Sequence, residues 1–168
     1  MHKLLLVTMI TALLPLAAIA AGSHSGGHEH HSGGAQADVG HASAVGSPAE
    51  ASAAGRTVTV ELLDSMRFAF DSPLALTRGE VVRFSVTNRG RIRHEFSIGS
   101  EAEQDSHRAM MRSMPNMVHE DPNVVTVEPG ETRELVWRFD GELPVVFACN
   151  IPGHAEAGMV ATTILKPE

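Results

Sequence analysis

Arg56-Thr57-Val58-Thr59-Val60-Glu61-Leu62 alternates polar and apolar side chains. On an extended chain Val58, Val60 and Leu62 share one face and Thr57, Thr59 and Glu61 the other, the period-two signature of a strand buried on one side. Similar short runs follow at 67–70, 80–87, 94–98, 123–127, 131–139, 145–149 and 159–165. Turn signals separate them: Asp71-Ser72-Pro73, Arg78-Gly79, Asn88-Arg89-Gly90, Glu128-Pro129-Gly130 and Asp140-Gly141. Seven to eight short strands at this spacing predict an all-β, antiparallel Greek-key sandwich over residues 56–168.

Upstream of Arg56 the composition changes. Residues 22–55 are Gly, Ser, Ala and His with almost no large apolar side chain, so burial cannot offset the entropy of ordering them. A disordered tail is expected, carrying His24, His28, His30, His31 and His41. Imidazoles at flexible spacing suit Cu(II) or Zn(II) capture; a merely solvated leader is the plainer alternative. Residues 1–21 read as a secretory signal peptide, with Lys3, an apolar run over 4–19 and the small residues Ala18-Ile19-Ala20-Ala21. That run is shorter than the ~20 residues a spanning helix needs, so cleaved export to the periplasm is expected, with no membrane association afterwards.

The chain carries a formal net charge of −7, and losing Lys3 with the signal brings it to about −8. Such a balance excludes a polyanionic nucleic acid as partner. One segment of the domain departs from the β pattern: residues 101–114 lack β-branched side chains and predict an inserted helix, with Ser100 as N-cap, Glu103 completing a capping box and Pro115 as its stop. Within and after it lie His107, Met110, Met111, Met114, Met117 and His119. The first four recur at three- and four-residue steps on one helix face. Thioethers are soft donors suited to Cu(I), whereas a methionine stripe at helical spacing is also an ordinary packing face.

Cys149 is the single cysteine of a chain expected in an oxidising compartment. It opens Cys149-Asn150-Ile151-Pro152-Gly153-His154-Ala155-Glu156-Ala157-Gly158-Met159, between the end of one predicted strand and the start of the next. A loop there can turn a thiolate, an imidazole and a thioether toward one point. With one more histidine this is a blue-copper ligand set, two His and one Cys in a plane with a weak axial Met. His94, opening its strand directly after the Arg89-Gly90-Arg91 turn, can supply the missing imidazole from the same end of a sandwich. Alone, Cys149 reads as a small buried hydrophobe, His94 as a surface histidine and Met159 as core filler; together they select copper.

These residues resemble the cupredoxin (plastocyanin/azurin) family over about residues 56–168. The Cys149-x4-His154-x4-Met159 spacing is similar to that of the rusticyanin and auracyanin branch, and Pro152-Gly153-His154 to azurin-like loops. The resemblance implies His94, Cys149 and His154 as equatorial copper ligands and Met159 as the axial one. Two positions depart from it. Many members have Asn after the first ligand histidine, where it ties the two ligand-bearing loops; here that residue is Glu95. Pro152 has no N–H to offer the Cys149 sulfur. The His-rich leader, His94-Glu95-Phe96, the Met-rich insert and the Cys149 loop together look like the small periplasmic copper-tolerance cupredoxins of the CopI type, proteins linked to bacterial survival of excess copper.

The expected function is copper tolerance, by sequestering or transferring copper at a redox-active Cu(II)/Cu(I) site, in a monomer whose partners are copper ions and a periplasmic redox or copper-handling protein. Further copper at the His-rich tail or the Met/His-rich segment is compatible with the donors present. The alternative is a soluble electron carrier that docks through Ile151 and Pro152 around His154. An enzyme is not expected. Multicopper oxidases and nitrite reductases place a histidine beside the copper-bound cysteine, whereas Cys149 is flanked by Ala148 and Asn150.

Overall fold

Residues 43–114 and 121–168 are described by the structure, a computed structural model. In chain order the elements are β1 (Ser47–Pro48), a 3-10 turn (Ala51–Ala53), β2 (Arg56–Leu63), β3 (Arg67–Phe70), β4 (Val81–Asn88), β5 (His94–Gly99), α1 (Glu101–Ser113), β6 (Val124–Val127), β7 (Thr132–Arg138), β8 (Val145–Ala148) and β9 (Val160–Thr163). They form two sheets, ordered β1-β7-β4-β2-β3 and β6-β5-β8-β9. The sandwich and strands β2 to β9 are those the alternation predicts, and α1 is the insert that the break in it predicts.

The period-two reading holds residue by residue in β2, where Val58, Val60 and Leu62 are buried. They meet Phe84, Phe96 and Phe147 between the sheets. Phe96 on β5 and Phe147 on β8 stack at 5.4 Å, and Phe84 on β4 packs 5.4 Å from Phe96 and 5.6 Å from Phe147. Each buried ring contributes about 1.5–3 kcal/mol by transfer from water, and this aromatic plug fixes the spacing of the two layers.

Two features differ from expectation. The sandwich is not wholly antiparallel: β2 and β4 run parallel, from Arg56↔Val82 to Leu62↔Asn88. Period-two patterning reports which face is buried and is blind to strand direction, so a parallel neighbour leaves no mark on it. The fold also begins before the change of composition at Arg56. Val45 is fully buried and Ser47–Pro48 pairs with Trp137 and Arg138 on β7. One buried valine and a two-residue edge pairing are enough to seat a stretch whose composition resembles a linker.

Every residue of β5 is buried. His94, Phe96 and Ile98 alternate onto the core side; Glu95 and Ser97 face the other way and are covered because α1 lies over them. The helix starts where its capping box predicts, with Ser100 Oγ accepting the Glu103 N–H and Glu103 reaching back to the Ser100 N–H. Its covered face centres on Gln104, His107 and Met111, whereas Met114 is exposed. The insert is therefore held by polar contacts as much as by methionine packing.

Candidate metal centre

One pole of the sandwich is set by strand direction. β5 and β8 are antiparallel with Ser97 opposite Ala148, so the start of β5 and the end of β8 lie together, and Ala148 opposite Val160 brings in the start of β9. His94 is the first residue of β5, Cys149 follows β8 and Met159 precedes β9. Residues far apart in the chain thus reach one place from three adjacent strands.

The loop between β8 and β9 is closed by its own main chain: Cys149 N–H to Met159 O at 3.1 Å, His154 N–H to Ile151 O at 3.0 Å, and Met159 N–H to His154 O at 3.0 Å. Gly158 stands at φ +102, and a Cβ there would lie 2.4 Å from Arg67 Nη1. Arg67 uses that space to donate to Ala157 O at 3.0 Å, tying the loop to β3.

His94, Cys149 and His154 present ligand atoms that all lie within 4.8 Å of one another. Cys149 Sγ is 3.2 Å from His154 Nδ1, and the two imidazole rings are 5.0 Å apart. Met159 is fully buried at the closing end of the same loop. The His94 ring is sealed from solvent, yet its Nδ1 is buried with no hydrogen-bond partner, while Nε2 lies 3.0 Å from Asp64 Oδ1. A buried nitrogen without a partner costs free energy unless something else takes its lone pair. A soft cation between Nδ1, Sγ and the His154 nitrogen would do so, and the donor set of two imidazoles and a thiol fits copper.

The electrostatics suit a cation site. Burial pushes the Cys149 thiol up to about 12, against the lowering effect of the Glu95 and Ile151 N–H groups. Burial, reinforced by the neighbouring His94 ring, lowers the His154 pKa and keeps that imidazole neutral. A metal is needed to hold the thiolate at neutral pH.

Glu95 replaces the asparagine common at its position, and the tie between loops is remade by other atoms. Its main-chain N–H donates to Cys149 Sγ at 3.2 Å. Its carboxylate turns under α1, with Oε1 3.3 Å from His107 Nε2. Asn150 supplies the remaining tie, donating to Ser97 Oγ at 2.9 Å and Gln104 Oε1 at 2.7 Å and accepting from Arg108 at 3.3 Å. Pro152 cannot donate to the sulfur, and the Glu95 N–H serves as its main-chain donor. Sequence reading did not single out Asp64, Gln104 or Asn150. Gln104 leaves one signal, a polar residue on the helix face that must lie on the sheet; Asp64 leaves none.

Of the other expected donors, Met111 is buried, His107 and Met110 are half-buried and Met114 is exposed. His24, His28, His30, His31, His41, Met117 and His119 lie outside the described residues, as do Pro115 and the expected signal peptide. Among the described residues no helix is long and apolar enough to cross a membrane.

No family model matches the chain. It is 53% identical over 116 residues, 69% of each chain, to the copper-resistant cuproprotein CopI of Vibrio cholerae. It is 43% identical over 158 residues to the protein of the same name from Rubrivivax gelatinosus, covering 92% of this chain and 95% of that one. Among solved structures, auracyanin B superposes with a TM-score of 0.57 at 21% identity, over 73% of this chain and 97% of auracyanin. That likeness shows the cupredoxin fold. With the two relatives covered over more than two thirds of their length, the chain belongs to the CopI family of copper-resistant cuproproteins, built on a cupredoxin sandwich.

Proposed function

We propose that the protein binds one copper ion through His94 Nδ1, Cys149 Sγ and His154 Nδ1, with Met159 as a weak axial donor, and serves copper tolerance in the periplasm by sequestering or transferring copper. The observations that carry the reading are that a ring nitrogen of His94 lies within 4.8 Å of the Cys149 and His154 donor atoms and that His94 Nδ1 is buried without a hydrogen-bond partner. Copper bound there supplies a one-electron Cu(II)/Cu(I) couple.

The protein's own part is to hold the donors before the metal arrives. β5 and its core-facing neighbours Phe96 and Ile98 fix His94. The main-chain closure of the β8–β9 loop fixes Cys149, His154 and Met159. The Glu95 N–H aimed at the sulfur withdraws charge from the thiolate. Because the donors are locked by packing rather than by the ion, they change position little between oxidation states.

Tolerance is favoured over plain electron transport by the surplus of soft and imidazole donors in the leader and in the Met/His segment, together with the membership of a copper-resistance family. The domain division (1–21 signal peptide, 22–55 tail, 56–168 cupredoxin domain) is kept as part of this proposal, with Val45 to Gly55 packing onto the domain. A non-enzymatic role fits Ala148 and Asn150 as the neighbours of Cys149, since no histidine leads from the sulfur to a second cluster.

Copper titration of the mature protein, followed by optical and EPR spectra, tests this reading. An intense visible band that saturates at one equivalent and vanishes in Cys149→Ser is expected. A Cys149→Ser variant with an unchanged spectrum refutes the ligand set. Deleting the protein from its host separates the roles: growth failure confined to added copper supports tolerance, and loss of a respiratory or photosynthetic electron-transfer rate supports the carrier reading.

A further inference from the structure

Asp64 follows β2, thirty residues upstream of His94, and no pattern of the chain connects the two. The connection is made by the parallel pairing of β2 with β4. Parallel neighbours end at the same pole, so Leu62 stands opposite Asn88 and the two strands leave the sheet side by side. Arg89 N–H extends the pairing to Leu62 O at 3.0 Å. The turn after β2 thus lies against the loop that leads into β5.

Within that corner the Asp64 carboxylate is held at both oxygens. Oδ2 accepts the Arg91 N–H at 2.8 Å, and Oδ1 lies 3.0 Å from His94 Nε2. Gly90 makes the approach possible, because a Cβ there would stand 1.9 Å from Asp64 Oδ1. The side chain of Asp64 is 40% exposed, whereas that of His94 is at 0%. The carboxylate therefore spans from solvent to a sealed imidazole.

An ionised carboxylate only accepts hydrogen bonds, so the proton on a neutral His94 must sit on Nε2 and the lone pair on Nδ1. With Nε2 turned to Asp64, the buried and unpartnered Nδ1 is the nitrogen left for the cluster with Cys149 and His154. We propose that Asp64 is a positioning residue of the metal centre: it holds His94 in the Nε2–H tautomer and ring orientation, and sets a negative charge against one ligand that favours the cupric state. The inference rests on the reading of His94 as a copper ligand.

Two properties of Asp64 can be separated. Asp64→Asn keeps an acceptor oxygen and removes the charge; Asp64→Ala removes both. Outer partners of a ligating histidine are worth about 10–100-fold in metal affinity. Asp64→Asn is expected to retain copper and lose about tenfold in Cu(II) affinity relative to Cu(I), which is an upward shift of about 59 mV in potential. Asp64→Ala is expected to lose Cu(II) affinity further, within the 10–100-fold range. Glu61→Gln, which removes a neighbouring surface carboxylate paired with Arg89, serves as the charge control and should leave the potential in place.

The experiment is redox titration of the copper-loaded proteins, with imidazole nitrogen NMR of the Cu(I) forms. In the parent protein a slowly exchanging proton on His94 Nε2 is expected, retained in Asp64→Asn and lost to fast exchange in Asp64→Ala. Potentials and ring signals unchanged in both Asp64 variants overturn the positioning role and leave the ligand set standing. A His94→Ala variant that keeps the parent visible spectrum overturns the ligand set itself. A shift in Glu61→Gln as large as in Asp64→Asn reduces the effect to general surface charge and also overturns the inference.

Discussion

The main-chain N–H of Glu95 points at the sulfur of Cys149 from 3.2 Å, while the Glu95 carboxylate is buried on the opposite side of the strand under α1. One residue thus touches the thiol with its backbone and the inserted helix with its side chain. Alternation along β5 forces this division, because a residue whose side chain faces away from the core still carries a main chain in the sheet. The insert and the metal centre are consequently neighbours through a single peptide unit.

Burial raises the Glu95 carboxyl to about 7, partly offset by the Asn150 amide and reinforced by the Asp121 charge. Its folded value lies above the unfolded one of 4.5, so the folded state holds the proton more tightly and stability falls as pH rises from about 4.5 through 7. The full loss from this group is about 3 kcal/mol. Denaturant titrations of the metal-free protein at pH 5 and pH 8 should show that loss in the parent and a smaller one in Glu95→Gln. An equal loss in both would contradict the assignment.

Cys149 carries its proton at neutral pH in the metal-free protein, since burial pushes its thiol up to about 12. Copper loading should therefore release about one proton per ion and be favoured as pH rises. Indicator-dye measurements in weak buffer check this. Cys149→Ser should release none, and release of the same amount from that variant would place the proton elsewhere.

Gly158→Ala places a Cβ at φ +102 against the Arg67 guanidinium. The strained backbone and the lost Arg67–Ala157 contact should cost about 1–3 kcal/mol. Gly153 stands at φ +91 with open space around it, so Gly153→Ala should cost only its backbone share, about 1 kcal/mol. Midpoints of chemical denaturation rank the two variants; a larger loss at Gly153 would contradict the close approach of Arg67.

Gln104 is the hub that holds α1 to the sheet, accepting from Ser97 and Asn150 and donating to Val146 O at 2.9 Å. Gln104→Leu keeps the volume and leaves the Asn150 amide and the Val146 carbonyl short of a bond, while Ser97 turns its one proton to Ala148 O, at about 2 kcal/mol. The variant should also expose α1 to limited proteolysis and alter the copper spectrum through Asn150, the neighbour of Cys149. Parent-like cleavage and stability would mean that methionine packing alone seats the helix.

Much of this protein is legible without its tertiary structure. Val58, Val60 and Leu62 announce a one-sided strand because burial in a sheet repeats every two residues. Ser100 and Glu103 announce the start of α1 because unpaired N–H groups at a helix end require acceptors. The thiol, imidazole and thioether of the Cys149 to Met159 loop stand out as candidate donors because they are close in the chain and their combination is rare. What the fold alone decided is whatever depends on strand direction and on the contacts of surfaces distant in sequence. The parallel pairing of β2 with β4 brings Asp64 to His94, Val45 is drawn into the core by a two-residue edge, and Glu95 is buried under a helix. None of these leaves a local trace, because side-chain periodicity records which residues are covered and carries no information about what covers them.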